Sequence, residues 1–585
     1  MPNTRLILYF AVILALALAM DRLQAAYAQG STFYVATSGN DTTGNGSAGQ
    51  PWATISHALD SVPDGSLVLV KPGNYFERVN LRGQFTQGVT VRSEVPYQAR
   101  LRYNATVVIC FYGQGITLEG FDIAHSGPGA GGLVIQIQDL LGSYNGSNGG
   151  TDPYVKNIIL RNNILHDSYN NDILKVNNGA GDILIEGNIF YNQQGSDEHI
   201  DVNSVTNVTI QDNVFFNDFA GSGRSNANDT SSYVVIKDSN GADDTNLGSL
   251  DITVRRNVFF NWQGSTGQGF VRVGEDGTAF YEGQNILIEN NLMLGNSANQ
   301  IRSPFQVMGS ANVTIRANTV AGNLPAKEFG ARIFTYGANL PNDQIRLHNN
   351  IWSDPTGTMS DTFSRGGNTT NLSFDNNMFW NNNNAFPTSS EAIIEIVADA
   401  NRLVADPLLG SQAGLVLPPW NSGANQFGDG STTIRQVFEN LVNRYGALPS
   451  NSPAIGQADP AHAPLDDILG RPRDASPDLG AYEFVPALAL AGTARDQQVI
   501  LSWSVNANLQ PATTWRITYS PAGGSPPSPI SNLPLSMRTY SVSNLSNDVT
   551  YTFTLNALLS GSPILTDSVS LVPTDNLVFL PLILK

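Results

Sequence analysis

The sequence is poor in several things at once. Across 585 residues it has one cysteine, six histidines and only 14% charged side chains, with 31 basic residues against 49 acidic ones. A single cysteine, Cys110, excludes any intrachain disulfide, so the fold must be held by its core. Cys110 lies in the apolar run VVICFYG and reads as a small buried hydrophobe. The formal charge of -18 argues against nucleic acid and anionic membranes as partners. Long apolar runs are also missing, with one exception at the start. There Arg5, the apolar stretch Leu6 to Ala19 and Ala26-Tyr27-Ala28 have the order of a secretory signal, predicting cleavage after residue 28. The stretch is too short to span a bilayer comfortably. The chain left after cleavage is expected to be secreted or attached at the cell surface, not membrane-spanning, and monomeric.

What is present in abundance is a repeat. Between Asn157 and Trp380 the chain reads NIILRNNIL, DILIEGNIF, NVTIQDNVF, DITVRRNVF, NILIENNLM, NVTIRANTV, QIRLHNNIW and NLSFDNNMF. Each copy is an alternating strand, a polar pair ending in asparagine, and a second apolar strand. The asparagines fall at 163, 188, 213, 257, 291, 318, 350 and 377, so a period near 25 is stretched by insertions. A unit this short cannot bury its own apolar face, and copies must stack. The expected fold is all-β: a parallel β-helix with one coil per repeat, followed by a small β-sandwich. The ladder asparagines suit the corners, where Asn tolerates turn geometry and stacked amides bond coil to coil.

The flanks divide the chain further. Ile55, Ala58, Leu59 and Val62 fall on one helical face, predicting an N-terminal cap helix at about 52–62. The segment TTIRQVFENLVNRYG predicts a second helix at about 433–445, with Gly446 as its C-cap and the end of the solenoid as its seat. From about Val485 short alternating strands separated by Pro, Ser and Gly turns predict the sandwich, over 485–575, with an apolar tail at 576–585.

The entry segment FYVATSGND…QPWATISHALD…GSLVLVKPGNYFERV resembles that of secreted right-handed parallel β-helix proteins of the pectate-lyase-like superfamily. The resemblance covers roughly Thr32 to Leu409 and places the β-helix at 29–410. The later segments ANRLVADPLL, SPAIGQA and LGRPRDASPDLGAYEF look like the closing, choice-of-anchor-type module found after many bacterial β-helices, here 411–484. Trp503, with Leu545 six residues before Tyr551, resembles a fibronectin type III domain and its tyrosine corner.

The chemistry is sought on the first strand of each coil: LVIQIQ, DILKVN, HIDVNS, YVVIKD, FVRVGE and PFQVMG. With the aliphatic residues inward, two outward columns result. One runs Gln136, Lys175, Asp201, Val235, Arg272, Gln306; the other Gln138, Asn177, Asn203, Lys237, Gly274, Met308. His199 and Tyr233 precede the first column, while Asp172, Asp197 and Glu198 lie where strands begin. Long insertions, GPGAGG…GSNGGTDP and FAGSGRSNANDTSS, flank this region and suit the walls of a cleft.

In the superfamily such a groove binds sugar chains. Its lyases use Lys or Arg as base, and carboxylates of neighbouring coils hold Ca2+. The resemblance therefore implies Lys175, His199, Lys237 and Arg272 as catalytic residues, Lys175 or Lys237 being the base and Arg272 neutralising the substrate. Gln136, Asn177, Asn203 and Tyr233 would contact substrate, and Asp172, Glu198 and Asp201 would ligate Ca2+. The reading is β-elimination on an acidic polysaccharide, which needs a base and a cation beside the substrate carboxylate. Its rival is a non-catalytic glycan-binding or adhesin-like surface protein, because outward solenoid positions are polar in any case and opposite charges pin register. Two lesser readings remain. A glycoside hydrolase would use Asp172 and Glu198 as its carboxyl pair. A uronate epimerase is suggested by Asp197-Glu198-His199, which resembles an Asp-Pro-His signature without its proline. The oxygen-rich stretches DSNGADDTN (238–246) and GEDG (274–277) read as solvated turns more than as Ca2+ loops.

Overall fold

The computed structural model describes residues 30–139, 155–195, 197–225, 229–239, 246–366, 368–387, 395–506 and 509–575. The signal segment, the tail at 576–585 and parts of both long insertions and of the 238–246 stretch lie outside the described residues. No helix among the described residues is long and apolar enough to cross a membrane. The chain divides into two compact units, 1–483 and 484–585.

The first unit is a parallel β-helix. Each coil contributes three strands, and every strand pairs in parallel with its counterpart one coil on. The first strip runs through Ile135–Gln138, Leu174–Asn177, Ile200–Asn203, Val234–Lys237, Val271–Val273, Phe305–Met308 and Glu328–Phe334. The repeat supplies the other two. Its alternating half forms strands such as Gly181–Glu186 and Thr206–Gln211, and its apolar half forms strands such as Ile189–Tyr191 and Val214–Phe216. Inward residues of the alternating strands, such as Ile183, Ile185, Val208 and Ile210, have almost no exposure. Period two thus puts the apolar half of each strand into one continuous core.

The repeat also fixes its own corners. The residue before each ladder asparagine has positive φ, as at Asn162 (54°), Asp212 (58°), Arg256 (51°) and Asn349 (58°). The ladder asparagines themselves do not. They are fully buried, and from Asn188 on each side-chain oxygen accepts from the preceding asparagine's backbone N–H and its side-chain amide, at 2.8–3.1 Å for the Asn163–Asn188–Asn213 steps. The turn geometry and the coil-to-coil bonding therefore fall to two adjacent residues. The stack ends at Asn377, whose amides donate to Asp399 at 2.8 Å.

Helix Ile55–Ser61 is N-capped by Thr54, whose side chain accepts from the His57 N–H. Its Ile55, Ala58 and Leu59, with Val62 just beyond, join the solenoid core. Helix Ile434–Leu441, with a Thr433–Gln436 capping box, lies elsewhere than the end of the stack. It packs on the outer side of the third strip, against a cluster that includes Ile164, Ile189, Val214, Val258 and Leu292. That strip is apolar on both faces, Tyr191, Phe216 and Phe260 stacking along the outside at 5.0 and 5.2 Å, and it needs a lateral cover more than the end needs a plug. Gly446 is not a left-handed cap. The helix runs on through a wider turn at Val442–Gly446, and a Cβ on Gly446 would meet Leu292 Cδ2 at 2.9 Å. Close approach to the strip requires the glycine.

The second unit packs a three-stranded antiparallel sheet, containing Leu488–Arg495, Gln498–Val505 and Thr539–Ser543, with a four-stranded one containing Thr514–Pro521 and Tyr551–Leu559. Trp503 and Trp515 are in its core. The Tyr551 hydroxyl accepts from the Ser546 N–H at 3.0 Å.

Candidate functional site

The two columns of the first strip form in register as their alternation predicts, but they are not open to solvent along their length: Asp201, Val235, Gln306, Asn177, Asn203 and Met308 are all buried. Gln136, Lys175, Asp201, Val235, Arg272 and Gln306 are successive register partners, as are Gln138, Asn177, Asn203 and Lys237. Around Asp201 the columns meet the strand starts, and carboxylates collect. Asp172, Glu198 and Asp201 each offer an oxygen within 4.8 Å of the others, and all three are buried.

Electrostatics makes this cluster unusual. Burial, reinforced by the neighbouring charge of Asp172, pushes Glu198 well above the ordinary carboxylate range. Asp172 is raised by burial and by Asp201. The Glu198 side chain faces Asp172, and the Glu198 backbone N–H donates to Asp172 Oδ1 at 2.8 Å. A fourth carboxyl, Asp197, sits half-buried beside them, raised to about 7 by burial and then by Asp172. Asp201 Oδ1 is buried without a hydrogen-bond partner. Four carboxyls crowd one spot, and burial with mutual repulsion raises Asp172, Asp197 and Glu198.

Two lysines flank the cluster. Lys175 Nζ lies 2.5 Å from Asp201 Oδ2 and 4.0 Å from Asp172 Oδ2. Lys237 Nζ lies 3.9 Å from the same Asp201 oxygen and 2.7 Å from Glu275 Oε2. Burial works against the charge on both, but Asp201 with Asp172 raises Lys175, and Asp201 with Glu275 raises Lys237. Arg272 extends the row, with Nη1 2.7 Å from Gln268 Oε1 and 3.3 Å from Glu275 Oε1, and Nε donating to the Gly274 carbonyl at 3.0 Å.

Other predicted site residues lie elsewhere. His199 and Tyr233 do not face the groove; both are fully buried. Their rings stack at 4.2 Å, His199 Nε2 lies 3.0 Å from Asn217 Oδ1, and the Tyr233 hydroxyl donates to the Asn261 carbonyl at 2.9 Å. Each comes one residue before its strand, where the chain is still turning the corner and strict alternation has not begun. Ile173 and Phe270, at the equivalent positions, are also fully buried. Burial pulls His199 down to about 3, so it is a neutral core ring. Asn203 is likewise engaged, its side-chain oxygen accepting from the Ser239 N–H and the Ser204 hydroxyl at 3.1 and 3.0 Å. Asn177 is 5% exposed. Gln136 is half-buried and donates to Gln138 at 2.7 Å.

The proposed carboxyl pair of a hydrolase is in contact and buried, which leaves neither group to reach a sugar. The GEDG turn is lined by amides, not oxygens: the N–H groups of Glu275, Asp276 and Gly277 donate to the buried Glu282 carboxylate at 2.7–3.1 Å. Asp197 entered the sequence reading only at a strand start and in the Asp197-Glu198-His199 triplet, and Glu275 only as part of a turn, although its side chain joins Lys237 to Arg272. The second insertion folds back over one bank. Arg224 donates to the Asn192 and Gln193 carbonyls at 2.9 and 3.0 Å and lies over the ring of Tyr169.

No family model matches the chain, and no curated protein matches it. Solved structures similar to it are coil stacks of low identity. A pectate lyase, Pel9A, is 14% identical over 79% of this chain and 98% of its own, with a TM-score of 0.43. XylC in complex with xylose is 12% identical over 78% of this chain and 98% of its own, at 0.40. The A-module of the Azotobacter vinelandii mannuronan C-5 epimerase AlgE6 is 15% identical over 60% and 90-odd per cent (93%), at 0.36.

Proposed function

We propose that this chain is an extracellular carbohydrate-active protein that cleaves an acidic polysaccharide by β-elimination in the groove on the first strip. One observation carries the reading: the buried Asp172, Glu198 and Asp201 cluster stands in one row with Lys175, Lys237 and Arg272. The donors are hard oxygens, one of them without a partner, with Asp197 adjacent, and this set fits Ca2+. When bound, Ca2+ would neutralise these carboxylates, screen the substrate's own carboxylate and take Asp172 and Asp201 out of the charges that raise the lysines, leaving Glu275 beside Lys237.

The side chains divide the remaining work. Lys175 is closest to a cluster oxygen and belongs with the ligands as their counter-charge. Lys237 stands further out, paired to Glu275, and is the base. It takes the proton from the carbon beside the uronate carboxylate; the electron pair forms a carbon–carbon double bond, and the glycosidic carbon–oxygen bond breaks. The leaving oxygen takes a proton from solvent. Arg272 pairs with the substrate carboxylate as negative charge builds on it, which requires it to trade Glu275 for substrate. In the same reading residues 1–28 direct secretion, the closing segment covers the solenoid, and 485–575 is a fibronectin type III-like spacer.

The test is incubation with a panel of polyuronates, with and without Ca2+, followed by the ultraviolet absorbance of unsaturated uronate ends. A rise that Lys237→Ala abolishes, in protein of unchanged melting midpoint, supports the proposal; a flat trace on every substrate overturns it. One observation favours a second reading, a non-catalytic glycan binder. Lys175, Lys237 and Arg272 all have carboxylate partners already, as a network that only pins coil register would. That reading expects retention on a polyuronate gel without new unsaturated ends.

A further inference from the structure

We infer that a cleft on the outside of the third strip, separate from the groove, binds a neutral saccharide unit. This inference stands apart from the lyase reading, because no residue of the Lys175–Arg272 row or its carboxyl cluster lines the cleft. The cleft exists because a column of bulky side chains runs out. On the outside of the strip that column holds Tyr191, Phe216 and Phe260, ring on ring, and then Leu294. Its register partners on the next coils are Ala321, Ser353 and Trp380. Two small residues between large ones leave the strip bare for about two coil spacings, roughly 9.6 Å. Beyond its last rung, Leu403–Val404, the chain turns back along this bare stretch, and residues from Asp406 to Ala413 make the facing wall. The space between floor and wall is about 600 Å3, the size of a small-molecule pocket.

The wall is anchored to the floor. Gln412 Oε1 accepts from the Gly295 N–H at 3.0 Å, and its Nε2 donates to the Ala321 carbonyl at 2.7 Å. Gly322 has a φ of 102°, and a Cβ there would collide with the Gln412 amide. The glycine is therefore what admits the anchor. A cleft held open this way needs little reordering when a ligand enters.

Its lining is hydroxyls, amides and one carboxylate, and no cation is among them. Ser353 is 3% exposed and lies on the floor, and its hydroxyl has no hydrogen-bond partner among the described residues. Asp406 gives Oδ1 to the Leu408 N–H at 2.8 Å, leaving Oδ2 for a ligand. Asn296 Oδ1 accepts from the Asn261 N–H at 3.1 Å and Asn323 Oδ1 from the Thr358 hydroxyl at 3.2 Å. With both oxygens committed, these side chains present their NH2 groups as donors. Such a set matches the hydroxyls of a sugar, each of which donates and accepts, while Leu409 and Pro355 offer apolar surface to its C–H groups. A lone carboxylate with no cation to offset it disfavours an anionic unit, so the ligand is a neutral sugar and not a uronate.

The test is calorimetric titration of the protein with the methyl glycosides of glucose, galactose, mannose, xylose and N-acetylglucosamine. Wild type is compared with Ala321→Leu, Asp406→Asn and Lys237→Ala, each checked for an unchanged melting midpoint. Ala321→Leu repeats the residue that the column carries one coil earlier and fills the floor. Asp406→Asn keeps an acceptor for the Leu408 N–H. At least one sugar should bind saturably, Ala321→Leu should abolish the binding, and Asp406→Asn should weaken it about tenfold. Lys237→Ala, in the groove, should leave sugar binding as in wild type. The methyl uronide of the sugar that binds should bind about tenfold more weakly than its neutral parent. Should Ala321→Leu lower the midpoint, Asp406→Asn on the wall still decides the site. Failure of all five sugars to bind overturns the proposal, as does full binding by the Asp406→Asn and Ala321→Leu variants. Binding lost in Lys237→Ala would put the sugar in the groove, and a uronide that binds as well as its parent would refute the neutral class; either result overturns the inference.

Discussion

Truncating one rung of the asparagine ladder, Asn257→Ala, should destabilise the solenoid far more than its modest loss of volume suggests. Asn257 Oδ1 accepts from the Asn213 N–H and side-chain amide, both at 3.0 Å. Its amide donates to the Ile210 and Arg255 carbonyls at 2.9 Å and to Asn291 Oδ1 at 3.0 Å. After truncation the Asn213 side chain keeps the Ile185 carbonyl, at 2.9 Å, and Asn291 Oδ1 keeps the Asn257 N–H, at 3.0 Å. The Asn213 backbone N–H keeps nothing. It is fully buried, and an orphaned buried donor costs about 1–3 kcal/mol. Two net hydrogen bonds from the lost amide add about 2 kcal/mol, so the total is about 3–5 kcal/mol. The assay is urea unfolding followed by tryptophan fluorescence, reading the shift in midpoint at constant slope. Asn74→Ala, at an exposed position, is the control and should stay within about 0.5 kcal/mol. A loss below about 1 kcal/mol at Asn257 would refute the idea that the ladder amides hold the coils.

Further outcomes follow from the same structure. If Asp172, Glu198 and Asp201 hold Ca2+, adding it at about 100 times its Kd should stabilise the protein by about 2.7 kcal/mol; Asp201→Asn should remove the effect, and a midpoint indifferent to Ca2+ would count against the site. His166 lies 2.8 Å from both Asp122 Oδ1 and Asp167 Oδ2. Burial opposes its charge, but Asp167 and Asp122 raise it above the ordinary histidine value of 6.5. Its stabilisation is then complete below about pH 6.5 and fades as pH rises through the folded value, so His166→Gln should cost more at pH 6 than at pH 9. Equal costs at the two pH values would show that the imidazolium clamp is absent. In the second unit Tyr551→Phe removes the acceptor of the Ser546 N–H and should cost about 1 kcal/mol in the unfolding of a 484–585 fragment, if that fragment folds alone.

The sequence by itself determined the coil stack, because the physics there is local and periodic. Alternation of Ile, Leu and Val fixes which face is inside, and the recurring asparagine fixes where the corners fall. The same alternation placed Lys175, Asp201 and Arg272 in one column and Asn203 and Lys237 in the next, since parallel register carries each outward residue directly over its counterpart. Two kinds of residue escaped that logic. His199 and Tyr233 stand in corners, where backbone direction changes and parity no longer tells inside from outside; only the folded chain turns their rings into the core. Glu275 and Asp197 lie on turns, and a turn residue's reach depends on the loop's path in space, which no period encodes. Tertiary structure also decided that helix Ile434–Leu441 covers a flank, because the apolar outer face of the third strip exists only once several coils have stacked. It decided the electrostatics too: the upward shifts of Glu198 and Asp172 arise from burial and neighbouring carboxyls, and those of both lysines from nearby carboxylates, between residues mostly tens of positions apart.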